Sequence, residues 1–221
     1  MANRKGLDTY RGKRNFDRTR EPEGGQASPR DVPCFVVQIH DAGTLHFDFR
    51  LEVDGVLKSW AVPKGPSTDP QDKRLAMPTE DHPMEYRDFE GVIAEGEYGA
   101  GTVIVWDEGS YRPLPGKTGR GSTFSEALEK GHASFWLDGN KMHGGYALTR
   151  FRGGGFGGRE AWLLVKESDE RAGGRSTLDA RRARSVRTGR TLKRVADEEA
   201  ESGGSGDERG GSARDRAGAV G

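Results

Sequence analysis

Val36-Val37-Gln38-Ile39-His40-Asp41-Ala42-Gly43-Thr44-Leu45-His46-Phe47-Asp48-Phe49-Arg50-Leu51-Glu52-Val53 is the stretch on which the reading of this chain turns. From His46 it alternates strictly, so an extended strand puts His46, Asp48, Arg50 and Glu52 on one face and Phe47, Phe49, Leu51 and Val53 on the other. The run before it alternates too, with Val37 and Ile39 opposed to Gln38 and His40, and Asp41-Ala42-Gly43-Thr44 supplies turn chemistry between the two. Paired as a hairpin, the runs bring His40 close to His46 and Asp48. One face then serves a core and the other presents chemistry.

Working outward, further strand-like runs cover Val56 to Val62, Phe89 to Ala94, Thr102 to Asp107, Ala133 to Leu137, Gly145 to Phe151 and Ala161 to Val165, separated by Gly, Pro and Asp turns. This spacing predicts a mainly β protein, a closed or partly closed β-barrel. One short helix is expected over Ser122 to Lys130, capped by Ser122 or Thr123 and stopped by Gly131. The glycine-rich run from Gly153 to Gly158 reads as a hairpin loop, since it lacks the Lys-Ser/Thr ending of a phosphate loop. Three regions follow: a basic, flexible N-terminal arm over 1–30, a barrel over 31–167 and a disordered Gly/Arg-rich tail over 168–221. The tail holds ten glycines and no aromatic residue, too little apolar surface to offset the entropy of ordering.

Composition bounds the function. The 221 residues carry zero net charge, but residues 1–30 have 8 Lys/Arg against 4 Asp/Glu and the tail 12 against 10, around a middle with 15 against 21. Basic ends around an acidic centre favour contact with a polyanion through the appendages, and Tyr10 and Phe16 lie among the arginines of the first segment. Cys34 is the single cysteine, so no intrachain disulfide can form, which fits a reducing compartment. No apolar run approaches the ~18 residues of a membrane span, so a cytoplasmic, nucleoid-associated protein without a membrane partner is expected.

Of five histidines, His40, His46 and His82 fall in the acidic middle near Asp48. Imidazole and carboxylate together suit Mn, Zn or Fe better than Mg or Ca. His46 and Asp48 share a strand face, and the third ligand comes from His40 or His82; His132 and His143 lack such company and read as structural. Arg50, two residues beyond Asp48, is placed to hold a tetrahedral oxyanion through its fork of donors. Lys64 and Lys73-Arg74 add cations, and phosphate is the anion that fits this set. His82 is a candidate to protonate a leaving oxygen and Tyr86 to donate a hydrogen bond to the phosphate.

These residues carry a resemblance. Gln38-Ile39-His40-Asp41, Leu45-His46-Phe47-Asp48-Phe49-Arg50-Leu51-Glu52, Trp60-Ala61-Val62-Pro63-Lys64-Gly65, Lys73-Arg74-Leu75-Ala76, Asp81-His82-Pro83-Met84-Glu85-Tyr86 and Phe89-Glu90-Gly91, in this order, resemble the 3'-phosphoesterase domain of the bacterial ATP-dependent DNA ligase D family. The resemblance implies that His40, His46 and Asp48 bind Mn(II), with other divalent transition metals compatible. It implies that Arg50, His82 and Tyr86 engage the phosphate and that Gln38, Lys64, Arg74 and Glu80 support the site. Lys13-Arg14-Asn15-Phe16 and Thr19-Arg20-Glu21-Pro22 resemble the family's opening segment, in which Arg14 and Glu21 match functional positions and Asn15 stands where an acid is usual. The implied substrates are DNA 3' ends carrying a ribonucleotide or a phosphate, trimmed to 3'-OH, with an end-joining polymerase, ligase or end-binding protein as candidate partners. No Lys-x-Asp-Gly adenylation motif occurs, the nearest string being Glu52-Val53-Asp54-Gly55, so a stand-alone phosphoesterase is expected. Two rival readings are a non-catalytic DNA-end binding module and an Fe(II) oxygenase built on His46, Asp48 and His82.

Overall fold

The computed structural model describes residues 4–25, 31–115, 123–151, 158, 160–173 and 179–204. Nine antiparallel strands are seen among them: β1 (Cys34–Asp41), β2 (Leu45–Val53), β3 (Val56–Val62), β4 (Lys73–Pro78), β5 (Gly91–Ile93), β6 (Gly101–Pro113), β7 (His132–Gly139), β8 (His143–Phe151) and β9 (Ala161–Lys166). They run in the order β1-β2-β3-β4-β9-β8-β7-β6, and β6 returns to β1, which closes an eight-stranded barrel. β5 adds to the start of β6. The expected barrel is therefore present, and closure leaves no edge in the ring.

Local chemistry explains the joints. β2 and β3 meet at Asp54 and Gly55, whose φ values of 51° and 80° make the two-residue turn that matches strand twist and favours Asp-Gly. The helix α2 (Phe124–Lys130) has a reciprocal capping box between Thr123 and Glu126 and ends at Gly131. Between β1 and β6 the register skips Trp106, because Val37 faces Asp107 while Gln38 faces Val105. That bulge turns the buried Asp107 inward, where its carboxylate accepts from the backbone N–H groups of Asn140, Lys141 and Met142 at 2.8 to 2.9 Å. The glycine-rich run read as a hairpin loop falls outside the described residues, apart from Gly158.

The barrel is filled, not hollow. Phe35, Phe49, Leu51, Trp60, Phe135, Tyr146 and Trp162 are among the side chains that interdigitate inside it. A second apolar cluster lies on the outer wall, where Tyr10, Tyr86 and Phe89 cover Val36, Leu57, Val103 and Val105. Period-two alternation thus gives β1, β2 and β3 two buried faces, and the polar residues of the opening stretch belong to the outer one.

Three departures from the sequence reading stand out. β4 was not expected; Lys73-Arg74 at its start and Pro78 at its end hide a strand whose partners are β3 and β9. Over residues 4–25 the N-terminal segment is no loose arm: α1 (Asp8–Gly12) buries Tyr10, whose hydroxyl donates to the Pro22 carbonyl at 2.7 Å. Over residues 179–204 the tail is folded as well. Ala180, Leu192 and Val195 are buried, the Val186 N–H donates to the Val105 carbonyl, and α3 (Leu192–Gly204) packs on β5 and β6. Composition misled because a few well-spaced apolar residues, aided by ion pairs of Arg187 with Asp88 and Glu108 and of Arg190 with Glu90, suffice to dock a short segment on an existing wall. No described helix is long and apolar enough to cross a membrane.

Truncation after residue 178 is accordingly expected to lower the melting temperature by about 5 °C or more, since it uncovers the surface under Leu192 and Val195. A melting temperature equal to that of the full chain would show this segment to be loosely held.

Candidate active site

The β1–β2 register sets His40 against His46, Gln38 against Asp48 and Val36 against Arg50, while β3 places Ser59 opposite Arg50. The imidazoles of His40 and His46 lie 5.0 Å apart between ring centroids. One ligand atom each from His40, His46 and Asp48 falls within 4.8 Å of the others, and no other such group occurs among the described residues. Of the two histidines open as third ligand, the structure brings in His40; His82 borders the same cleft but is not part of the ligand cluster, so the His46-Asp48-His82 triad of an oxygenase does not assemble.

Backbone carbonyls fix the two rings. His40 Nε2 lies 2.8 Å from the Gly99 carbonyl and His46 Nδ1 lies 2.7 Å from the Thr44 carbonyl. A carbonyl only accepts, so those nitrogens carry the protons, and in each neutral ring the other nitrogen offers a lone pair. His40 Nδ1 is 3.8 Å from one Asp48 oxygen and His46 Nε2 is 3.6 Å from the other, both longer than a hydrogen bond. With both rings neutral, three electron-rich atoms face one another. That arrangement fits a cation and is unfavourable without one.

Arg50, 2% exposed, organises the wall beside them. Its Nη2 donates to Asp48 at 2.9 Å, Nη1 to Ser59 Oγ at 2.8 Å and Nε to Gln38 Oε1 at 2.8 Å, and its guanidinium stands 4.8 Å from the centre of the Tyr86 ring. Burial works to raise the Asp48 carboxyl, but the Arg50 guanidinium together with His40 and His46 outweighs it and holds the group well below the usual carboxylate range. Gln38 spends its amide N–H groups on the Tyr86 and Phe89 carbonyls, at 3.0 Å each, and so pins the turn that carries Tyr86. Burial above all pushes the Tyr86 phenol well above its ordinary value, so it stays protonated. Its hydroxyl meets no hydrogen-bond partner among the described residues, and the ring borders the cleft.

His82 is tied to β3 by paired backbone hydrogen bonds with Leu57. Its Nδ1 lies 2.8 Å from the Glu80 carbonyl and its Nε2 3.4 Å from Arg14 Nη2, so Nδ1 donates and Nε2 accepts. Burial, then the guanidiniums of Arg50 and Arg14, push the imidazole well below the ordinary histidine value. It is thus a neutral ring in the resting protein, a poorer proton donor than the sequence suggests.

The N-terminal segment closes this wall. Arg14 donates to Glu21 at 2.9 Å and to Glu80 at 3.0 Å, and lies 3.7 Å over the Tyr10 ring. Glu21 is buried and also accepts from Thr19. Asn15 accepts from the Asp17 N–H with its side chain, within a segment that docks on the barrel. Together these residues border a cleft of about 270 Å³ whose lining includes Arg14, His40, His46, Asp48, His82 and Tyr86. Lys64 and Arg74 are not brought to its wall. Lys64 is exposed on the turn after β3, and Arg74 is held at 2.7 Å by Asp72 on β4's approach. Ser59, Thr79 and Tyr98 are parts of the site that sequence reasoning missed; only Ser59 left a signal, as a polar residue at an outward position of a strand.

Comparison with known proteins identifies the family. A family model described as DNA Ligase D 3'-phosphoesterase domain matches residues 38–150. The chain is 48% identical over 198 residues to the multifunctional non-homologous end joining protein LigD of Pseudomonas aeruginosa, a match that covers 87% of this chain and 22% of that protein. It is 43% identical over 166 residues to the corresponding DNA repair protein of Mycobacterium tuberculosis (75% and 20% covered). It is 39% identical over 176 residues to that of Mycolicibacterium smegmatis (75% and 21%). The chain therefore spans about a fifth of the length of the curated relatives it matches.

The neutral His82 makes stability depend on pH. Below the ordinary value near 6.5 the unfolded chain takes a proton that the folded chain refuses, so stability falls on acidification by up to about 1.4 kcal/mol per pH unit from this group. Urea unfolding between pH 7 and pH 5, with chelator present, should show a shallower decline for His82→Gln than for the wild type. Equal slopes would mean that His82 titrates normally.

Proposed function

The chain belongs to the DNA ligase D 3'-phosphoesterase domain family, and from that premise we propose that it heals DNA 3' ends, releasing a terminal ribonucleoside and then the phosphate left behind, so that a 3'-OH remains for end joining. The observation that carries this reading is the convergence of two carbonyl-oriented imidazoles and a carboxylate beside a buried guanidinium and a phenol, all facing one cleft. His40, His46 and Asp48 would hold the metal, for which Mn(II) suits a mixed nitrogen and oxygen set. A bound divalent ion supplies Lewis-acid polarisation of a phosphoryl oxygen.

The remaining work falls to the protein. Of the five N–H donors of Arg50, three are engaged, and the two left over can hold phosphate oxygens without loosening Asp48. Tyr86, kept protonated, donates to the same group and stabilises the charge that develops there. His82 gains proton affinity when the substrate arrives, because an oxyanion beside Arg14 and Arg50 offsets the two cations that keep the ring neutral. Its Nε2 can then protonate the departing 5'-oxygen of the nucleoside. Such a pocket accepts a diester and then the resulting monoester, since the donors address non-bridging oxygens common to both. The substrate partner is a DNA 3' end, with an end-joining polymerase, ligase or end-binding protein supplying or consuming it in the nucleoid.

The test is a time course with Mn(II) and a primer-template ending in one ribonucleotide, resolved to single nucleotides. A 3'-phosphate species should rise and fall before the 3'-OH product accumulates. His40→Ala, His46→Ala and Asp48→Ala should each lower both steps by about a hundredfold or more, since even the partners behind a ligand are worth about 10- to 100-fold. His82→Ala should slow the diester step more than the monoester step. Absence of any 3'-phosphate species, or equal cleavage of deoxy and ribo ends, would defeat the scheme.

A further inference from the structure

Tyr98 is one of two large apolar side chains left exposed among the described residues, at 48%, and it stands at the mouth of the candidate site. It lies in the loop between β5 and β6, one residue before the Gly99 carbonyl that orients His40. Its ring borders the 270 Å³ cleft and also a larger groove of about 640 Å³, and Thr79 and Glu80 form the rest of the shared boundary.

The ring is held rather than adrift. Lys13 Nζ donates to its hydroxyl at 3.1 Å, lies 4.4 Å from the ring centroid, and is itself paired with Glu80 at 3.1 Å. An aromatic face kept in water by a cation and a carboxylate offers a ready stacking surface, and every nucleobase presents a π-face to match it.

Charge decides which part of a nucleic acid belongs there. The groove's carboxylates Glu80, Asp81 and Glu160 are answered by Lys13, Lys58 and Arg150, and Lys13, the one cation lining the groove among the described residues, is spent on Glu80, so a run of phosphates finds no unpaired cation there. The terminal nucleoside of a 3' end carries a base but no phosphate beyond the scissile one. At the Ala42 margin of the cleft, by contrast, Arg181 reaches Asp41 with its side chain 71% exposed, a surface that suits the phosphate-bearing strand. Resting on the 3'-end reading above, we propose that the departing nucleoside sits in the groove with its base stacked on Tyr98. Tyr98 is then a specificity-determining residue that senses the presence of a base and tolerates any of the four.

The test compares two primer-templates in the presence of Mn(II), one ending in a ribonucleotide and one ending in an abasic ribose with the same scissile diester. Tyr98→Ala should lower kcat/KM on the ribonucleotide end at least about tenfold more than on the abasic end, mainly through KM, which is the scale of one lost base stack. Tyr98→Phe, which keeps the ring and drops the hydroxyl, should retain the preference for a base. Equal losses of Tyr98→Ala on the two ends would overturn the stacking role while leaving the phosphoesterase intact. A wild-type protein that cleaves neither end would overturn the functional reading and this inference with it.

Discussion

The outer wall of the barrel depends on one buried cation. Arg50 is almost fully removed from water, and a charge so placed needs an ionic partner and saturated hydrogen bonds. Asp48 supplies the first; Ser59 and Gln38 supply much of the second. Because Asp48 also belongs to the ligand-type cluster, the same contact that makes Arg50 tolerable keeps the carboxylate ionised and aimed. Through Gln38 the guanidinium reaches the turn of residues 84–88 as well, so Tyr86 is positioned by the same network. Removing either member of the ion pair would strand the other in the wall, a loss on the order of 3 to 5 kcal/mol.

The N-terminal segment completes that wall with a second guanidinium. Arg14 lies between Glu21 and Glu80 and approaches His82, so two cations flank one imidazole. Their positive charge, added to burial, keeps that imidazole neutral. On the proposed reading, a phosphate beside them would offset the two cations and raise the proton affinity of the ring.

Much of this was legible in the chain. Strict alternation over His46 to Val53, with a turn before it, gave the first hairpin and the sidedness of β2, and the polar face of that strand became the candidate site. What escaped were features made by distant contacts. β4 forms because β3 and β9 offer edges to it, not because Lys73 to Pro78 favours extension. The packing of Tyr10 and of Val195 depends on a wall that only exists after the barrel closes. Lys64 and Arg74 looked like site cations because of their charge, and charge alone does not reveal that Arg74 is answered by Asp72. The neutrality of His82 was equally hidden, since it follows from burial and two arginines remote in sequence.

The carbonyls that face His40 and His46 belong to turns, at Gly99 and Thr44, rather than to strands. Gly99 adopts φ of 78°, a conformation that side-chain-bearing residues enter only at a cost of about 1 to 2 kcal/mol, and a Cβ there would sit 3.6 Å from the His40 ring. The selection of which nitrogen bears hydrogen is therefore delegated to backbone geometry in a loop. Any ion held by this cluster would owe its affinity partly to a residue with no side chain, and a change of loop length would alter it while every candidate ligand stayed in place.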